Sequence, residues 1–142
     1  MDKRILAIGL AIIVLPIVFA LWPKPVSFPR LRTQLEGYGL TITNAKSIGT
    51  PAHGAIQEVR FTANGAAVQL FRFDDKSAME KCFQLYRDST RARQALARLL
   101  QEGFPVDLRA PTVVGRNEWY VLTVTTDDDS LRDIILGIFR SL

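Results

Sequence analysis

The stretch Ile56–Phe73, IQEVRFTANGAAVQLFRF, decides how this chain folds. Two apolar-rich segments, Ile56 to Ala63 and Ala66 to Phe73, flank Asn64-Gly65. That dipeptide is the strongest short-range hairpin signal, because both central positions of the favoured turn need a positive φ. A two-residue loop there pairs Phe61 with Val68 and Val59 with Leu70 on one face. The other face carries Ile56 with Phe73 and Glu58 with Phe71. Both faces are partly apolar, so either helices cover both or one aromatic patch is open to a partner.

Working outward, each hairpin-like segment leads into a helix. After Phe73, Met79, Cys82, Phe83 and Tyr86 recur at helical spacing, with Ser77-x-x-Glu80 as the expected capping box. A second helix is expected over Thr90 to Glu102, stopped by Gly103. Phe104 to Val114 reads as extended, interrupted by Pro105 and Pro111. A Gly115-Arg116-Asn117 turn then precedes a strand from Trp119 to Thr125. Leu131, Ile134, Ile135, Ile138, Phe139 and Leu142 make a closing helix, begun by Ser130-x-x-Asp133. Upstream, Phe28, Leu31, Leu35 and Tyr38 predict a first helix stopped by Gly37 and Gly39, and Leu40 to Ile48 a first strand.

The order is α-β-β-β-α-α-β-β-α, an α+β domain with helices packed on an antiparallel sheet. DDKSAMEKCFQLYR and DDDSLRDIILGIFR align with Ser77 on Ser130. A duplicated hairpin–helix unit and ordinary strand-to-helix junction chemistry both account for the match.

Ahead of the domain, Ile5 to Trp22 reads ILAIGLAIIVLPIVFALW, 18 residues without a charge. A helix of that length spans about 27 Å, just enough to cross a bilayer core. The short basic tail, residues 1–4, also suits a cleaved signal peptide. The apolar run is longer than the usual h-region, however, and no A-x-A-like site follows it, which favours an uncleaved signal anchor. Residues 23–29 are Pro-rich and expected to be an extended, semi-rigid linker to the domain of residues 30–142. Lys3 and Arg4 on one side nearly balance Lys24, Arg30 and Arg32 on the other. The short basic tail favours an extracytoplasmic domain, with the reverse orientation left open.

Residues 23–142 hold 16 Lys and Arg (the chain's 18 less Lys3 and Arg4) against 13 Asp and Glu (14 less Asp2). That balance is too mild for a dedicated nucleic-acid binder. A single cysteine excludes an internal disulfide framework.

Few residues suggest chemistry. His53 is the only histidine, without a supporting nucleophile or ligand set in sequence. Cys82 falls on an apolar helix face and reads as core. Asp74, Asp75, Asp127, Asp128 and Asp129 sit at two strand-to-helix junctions. They are weak metal candidates if those junctions converge, and otherwise helix caps. Arg87, Arg91, Arg93 and Arg98 form a basic surface suited to lipid headgroups or an anionic polymer, or are simply a solvated helix face. If the helices all pack on one side of the sheet, Phe71, Phe73, Trp119 and Val121 become an exposed interaction patch. No catalytic residue and no cofactor is expected.

The segments LRTQLEGYGLTITNA, GAAVQLFRFDDKSAMEK and GRNEWYVLTVTTDDDSLRDIILGIF resemble small membrane- or lipid-anchored extracytoplasmic proteins of Gram-positive bacteria. The resemblance implies an envelope accessory protein and brings no catalytic residues. The expectation is therefore a single-pass membrane protein whose domain binds a protein partner or itself, without nucleic acid. The alternatives are a cytoplasm-facing domain contacting lipid headgroups or nucleic acid through its basic helix, and an enzyme of unrecognised type.

Overall fold

The computed structural model describes residues 25–142. The basic tail and the apolar run Ile5 to Trp22 lie outside the described residues. Among the described residues no helix is long and apolar enough to cross a membrane.

The elements follow as α1 (Phe28–Gly37), β1 (Ile42–Ser47), β2 (Gln57–Ala63), β3 (Ala66–Arg72), α2 (Lys76–Arg87), α3 (Ser89–Gln101), β4 (Thr112–Asn117), β5 (Tyr120–Thr125) and α4 (Asp129–Ser141). The five strands form one antiparallel sheet in the order β1-β2-β3-β5-β4. This is the α+β architecture and element order expected from the sequence.

The β2–β3 hairpin has the expected register, with Phe61 opposite Val68 and Val59 opposite Leu70. Asn64 (φ 48°) and Gly65 (φ 86°) supply the two positive φ values that the tight turn demands. Along these strands alternate side chains go to opposite faces, and both faces are covered. Leu31 and Leu35 of α1 join Ile135, Leu136, Ile138 and Phe139 of α4 on Val59, Phe61, Val68, Leu122 and Val124. On the opposite face, Cys82 and Tyr86 of α2 and Ala92 of α3 pack on Phe71, Val114 and Val121. Leu96 and Leu99 of α3 close the same layer over Ala67. The domain is a sheet between two helical layers.

Several boundaries differ from the sequence expectation. Asp75, rather than Ser77, caps α2, accepting from the Ser77 N–H at 3.0 Å. Asp128, rather than Ser130, caps α4, accepting from the Leu131 N–H at 2.9 Å. A carboxylate two residues upstream reaches the orphan N–H groups and adds favourable charge at the positive end of the helix dipole. Gly115-Arg116-Asn117 is not a turn but the end of β4, paired with Tyr120 to Leu122. The turn is Glu118-Trp119. At the start, Phe28 and Pro29 form the first turn of α1 with Ser27 as its cap, and Val26 is buried in the core. Proline suits the first turn because its missing N–H is one of the orphans.

The aligned segments of α2 and α4 share their Asp caps but not their hand. When the β2–β3 and β4–β5 hairpins are superposed strand for strand, α2 and α4 fall on opposite faces of the sheet, since they pack on opposite sets of alternating residues. The likeness is one of junction chemistry.

Candidate functional site

Three parts of the chain meet at the end of the sheet where the described residues begin. Pro25 to Ser27 run past the ends of β2 and β3, and the β4–β5 turn closes over them. The strand ladders continue beyond the strands here. The Ile56 N–H donates to the Arg72 carbonyl at 2.8 Å, and the Phe73 N–H to the Trp119 carbonyl at 2.8 Å. Glu118 adopts φ 53°, which lets two residues complete the turn and points Trp119 outward. The result is an open groove of about 510 Å³, lined by Val26, Ile56, Arg72, Asp74, Glu118 and Trp119 among others. Ile56 is 49% exposed and Trp119 42% exposed, and Lys76 stands 5.7 Å above the indole ring. A cation over an indole face is a favourable arrangement that leaves the ring edge available.

Of the four expected interaction residues, only Trp119 is at the surface. Phe71, Phe73 and Val121 are 0–2% exposed, covered by α2 and the loop before β2. The exposed aromatic patch is thereby corrected to a core layer with one aromatic residue at its margin. Helices on both faces leave nothing for a partner to cover there.

The acidic candidates do not converge. β3 and β5 are antiparallel neighbours, with Arg72 opposite Tyr120 and Ala67 opposite Thr125. Asp74 and Asp75 follow the end of β3, whereas Asp127, Asp128 and Asp129 follow the end of β5. The two groups therefore occupy opposite ends of the sheet. No group of three or more metal-ligating side chains occurs among the described residues. Asp75 and Asp128 act as caps, and Asp129 pairs with Arg132 at 2.7 Å.

Arg87, Arg91, Arg93 and Arg98 are all exposed. They do not share one face. At about 100° per residue, Arg91 and Arg98 lie on one flank of α3 and Arg93 on the other. Arg87 and Arg116 stand 5.6 and 4.6 Å from the Phe83 ring, and Arg116 also pairs with Glu80 at 2.5 Å.

A buried polar cluster lies outside the candidate residues read from the sequence. Glu58 and Arg60, on the face under α2 and α3, are 0% and 7% exposed. The Arg60 Nε donates to Glu58 at 2.8 Å, and its Nη1 to Glu102 at 2.5 Å. The second Glu58 oxygen accepts from the Ala52 N–H at 3.0 Å, which holds the loop before β2 against the sheet. Burial works against the Arg60 charge, but the bonds and charges of Glu102 and Glu58 outweigh it and raise the pKa.

That loop carries His53, at φ 60°, with Nε2 3.1 Å from the Tyr86 hydroxyl and its ring edge-on to both Tyr86 and Phe71. Gly54 (φ 74°) presses so close to α2 that a Cβ there would stand 3.3 Å from Ala78. Burial lowers the His53 pKa, opposed by Glu58 and aided by Arg98. Burial, with the nearby Glu58 charge, pushes the Cys82 thiol up to about 12, leaving it protonated and unreactive at neutral pH. Burial likewise raises the Tyr86 phenol. These groups hold the loop to the core in their neutral forms. Alternation alone could have flagged Glu58 and Arg60, since both share a face with Phe71.

No protein-family model, curated protein or solved structure matches this chain.

Proposed function

We propose that the chain is a single-pass membrane protein whose domain is displayed outside the cytoplasm as an accessory binding module of the cell envelope. The observation that carries this reading is the junction at Val26. The apolar run ends at Trp22, and four residues later Val26 is already 3% exposed within the folded core. A run long enough to cross a bilayer core is thus joined to the domain with almost no slack. Binding is favoured over catalysis by how the polar side chains are used. Glu58, Arg60, Gln69 and Thr123 are each engaged by other groups of the core, with the Thr123 hydroxyl 3.0 Å from the Gln69 carboxamide oxygen. Lys3 and Arg4 ahead of the apolar run resemble the n-region of a secretory signal, which favours the outward orientation.

The exposed Arg87, Arg91, Arg93 and Arg98 favour a second reading, a cytoplasm-facing domain that contacts anionic headgroups or nucleic acid. Reporter fusions after Leu142 decide between the two. An active alkaline phosphatase fusion with a silent cytoplasmic reporter is the expected result. Activity of the cytoplasmic reporter alone would overturn the outward orientation.

A further inference from the structure

We infer that the groove end of the domain, with Trp119 and Ile56 at its rim, lies against the lipid–water interface of the bilayer that holds the apolar run. The inference rests on the anchor proposed above and adds the orientation of the domain relative to the lipid. The chain itself supplies the first reason. Pro25 lines the groove, and only Pro23 and Lys24 separate it from Trp22, the last residue of the apolar run. At full extension the three steps from Trp22 to Pro25 reach about 10 Å. The groove end is therefore held within that distance of the polar boundary, while the Asn64-Gly65 turn at the other end of the sheet is held away.

The chemistry of the rim supplies the second reason. Among the described residues, Trp119 and Ile56 are two of the five large apolar residues exposed by more than a third, and both sit at this end. Tryptophan is enriched at membrane interfaces because its ring is apolar and its N–H is wet. The Lys76 ammonium above the indole supplies a cation at the rim for a headgroup phosphate. Within the groove and its rim, Arg72 and Lys76 are matched by Asp74 and Glu118, so the groove itself carries no large excess of charge. The contact is accordingly with the headgroup zone itself rather than with anionic lipid in particular, and neutral phosphatidylcholine suffices.

The test uses the full chain with Trp22→Phe, which leaves Trp119 as the remaining one of the two tryptophans. The protein is reconstituted into phosphatidylcholine vesicles, with iodide supplied on both sides in one arm and a shallow nitroxide-labelled lipid in the other. Trp119 fluorescence is expected to be quenched several-fold more by the nitroxide lipid than by iodide. Quenching by iodide without quenching by the lipid label would overturn the inference, placing Trp119 in water. Protection from both quenchers would overturn it too, placing Trp119 against a second copy. Vesicle flotation separates the two proposals. A chain that floats with an iodide-accessible Trp119 keeps its anchor and loses the interfacial contact, whereas a chain that does not float loses both.

Discussion

Glu58 and Arg60, two positions apart on β2, point into the same covered face of the sheet and close an ion pair at 2.8 Å, with side chains 1% and 9% exposed. Removing one member of a buried pair strands the other charge, at a cost of about 3–5 kcal/mol. Arg60→Met is expected to destabilise residues 25–142 by that amount in denaturant unfolding. The double variant Glu58→Leu/Arg60→Met should recover part of the loss but not all of it, since the Ala52 N–H then lacks its acceptor. A double variant as unstable as Arg60→Met would mean that the pair is held for its hydrogen bond to the loop rather than for its charge.

Phe71 is 0% exposed and Trp119 is 42% exposed, so their truncation should separate cleanly. Phe71→Ala is expected to cost about 3–5 kcal/mol, the range for a large core truncation. Trp119→Ala should cost under about 1 kcal/mol, as surface changes do. Equal losses in the two variants would show that Trp119 is buried in solution.

Lowering of the His53 pKa by burial has a defined sign. Between the depressed folded value and the ordinary 6.5, the unfolded chain binds more protons than the folded one. Stability therefore rises with pH across that window and falls as the solution is acidified through it. His53→Asn, which tolerates the positive φ, is expected to flatten the stability profile between about pH 7 and 5. An unchanged slope in the variant would assign the acid sensitivity to the carboxylates instead.

Cys82, buried and with its pKa pushed up to about 12, should react with a thiol reagent slowly in the native protein and rapidly in denaturant. Cys82→Ser places a hydroxyl among Phe71, Phe73 and Tyr86 and should cost about 1–3 kcal/mol if that hydroxyl stays unpaired. Fast labelling of the native state would be incompatible with the core position.

The sequence was most informative where the signal is local. Asn64-Gly65 determines its own turn, and with it the pairing of Phe61 with Val68, because backbone sterics at two residues suffice. Helix spacing likewise placed Cys82 and Tyr86 inward. What stayed hidden depends on contacts between distant segments. Whether Phe71 is covered depends on α2 and α3 returning over the second face, which alternation within β3 does not encode. The separation of Asp74 from Asp127 follows from β3 lying antiparallel beside β5, a pairing set by the whole sheet. The pairing of Arg60 with Glu102 joins residues 42 positions apart, which no local pattern encodes.

The first strand has one more consequence. β1 is the outer strand beside β2, largely exposed on both sides, and its pairing with β2 shifts between Thr43 and Lys46, where Asn44 takes φ 55°. Two residues there face one on β2, so the free edge presents its donors and acceptors out of step. Copies of this protein held side by side at high density would bring such edges together, and a straight strand would template a growing cross-β stack. The bulge blocks strand addition at the β1 edge, and a continuous stack needs both edges, so crowding on its own does not turn an array of these domains into a fibre.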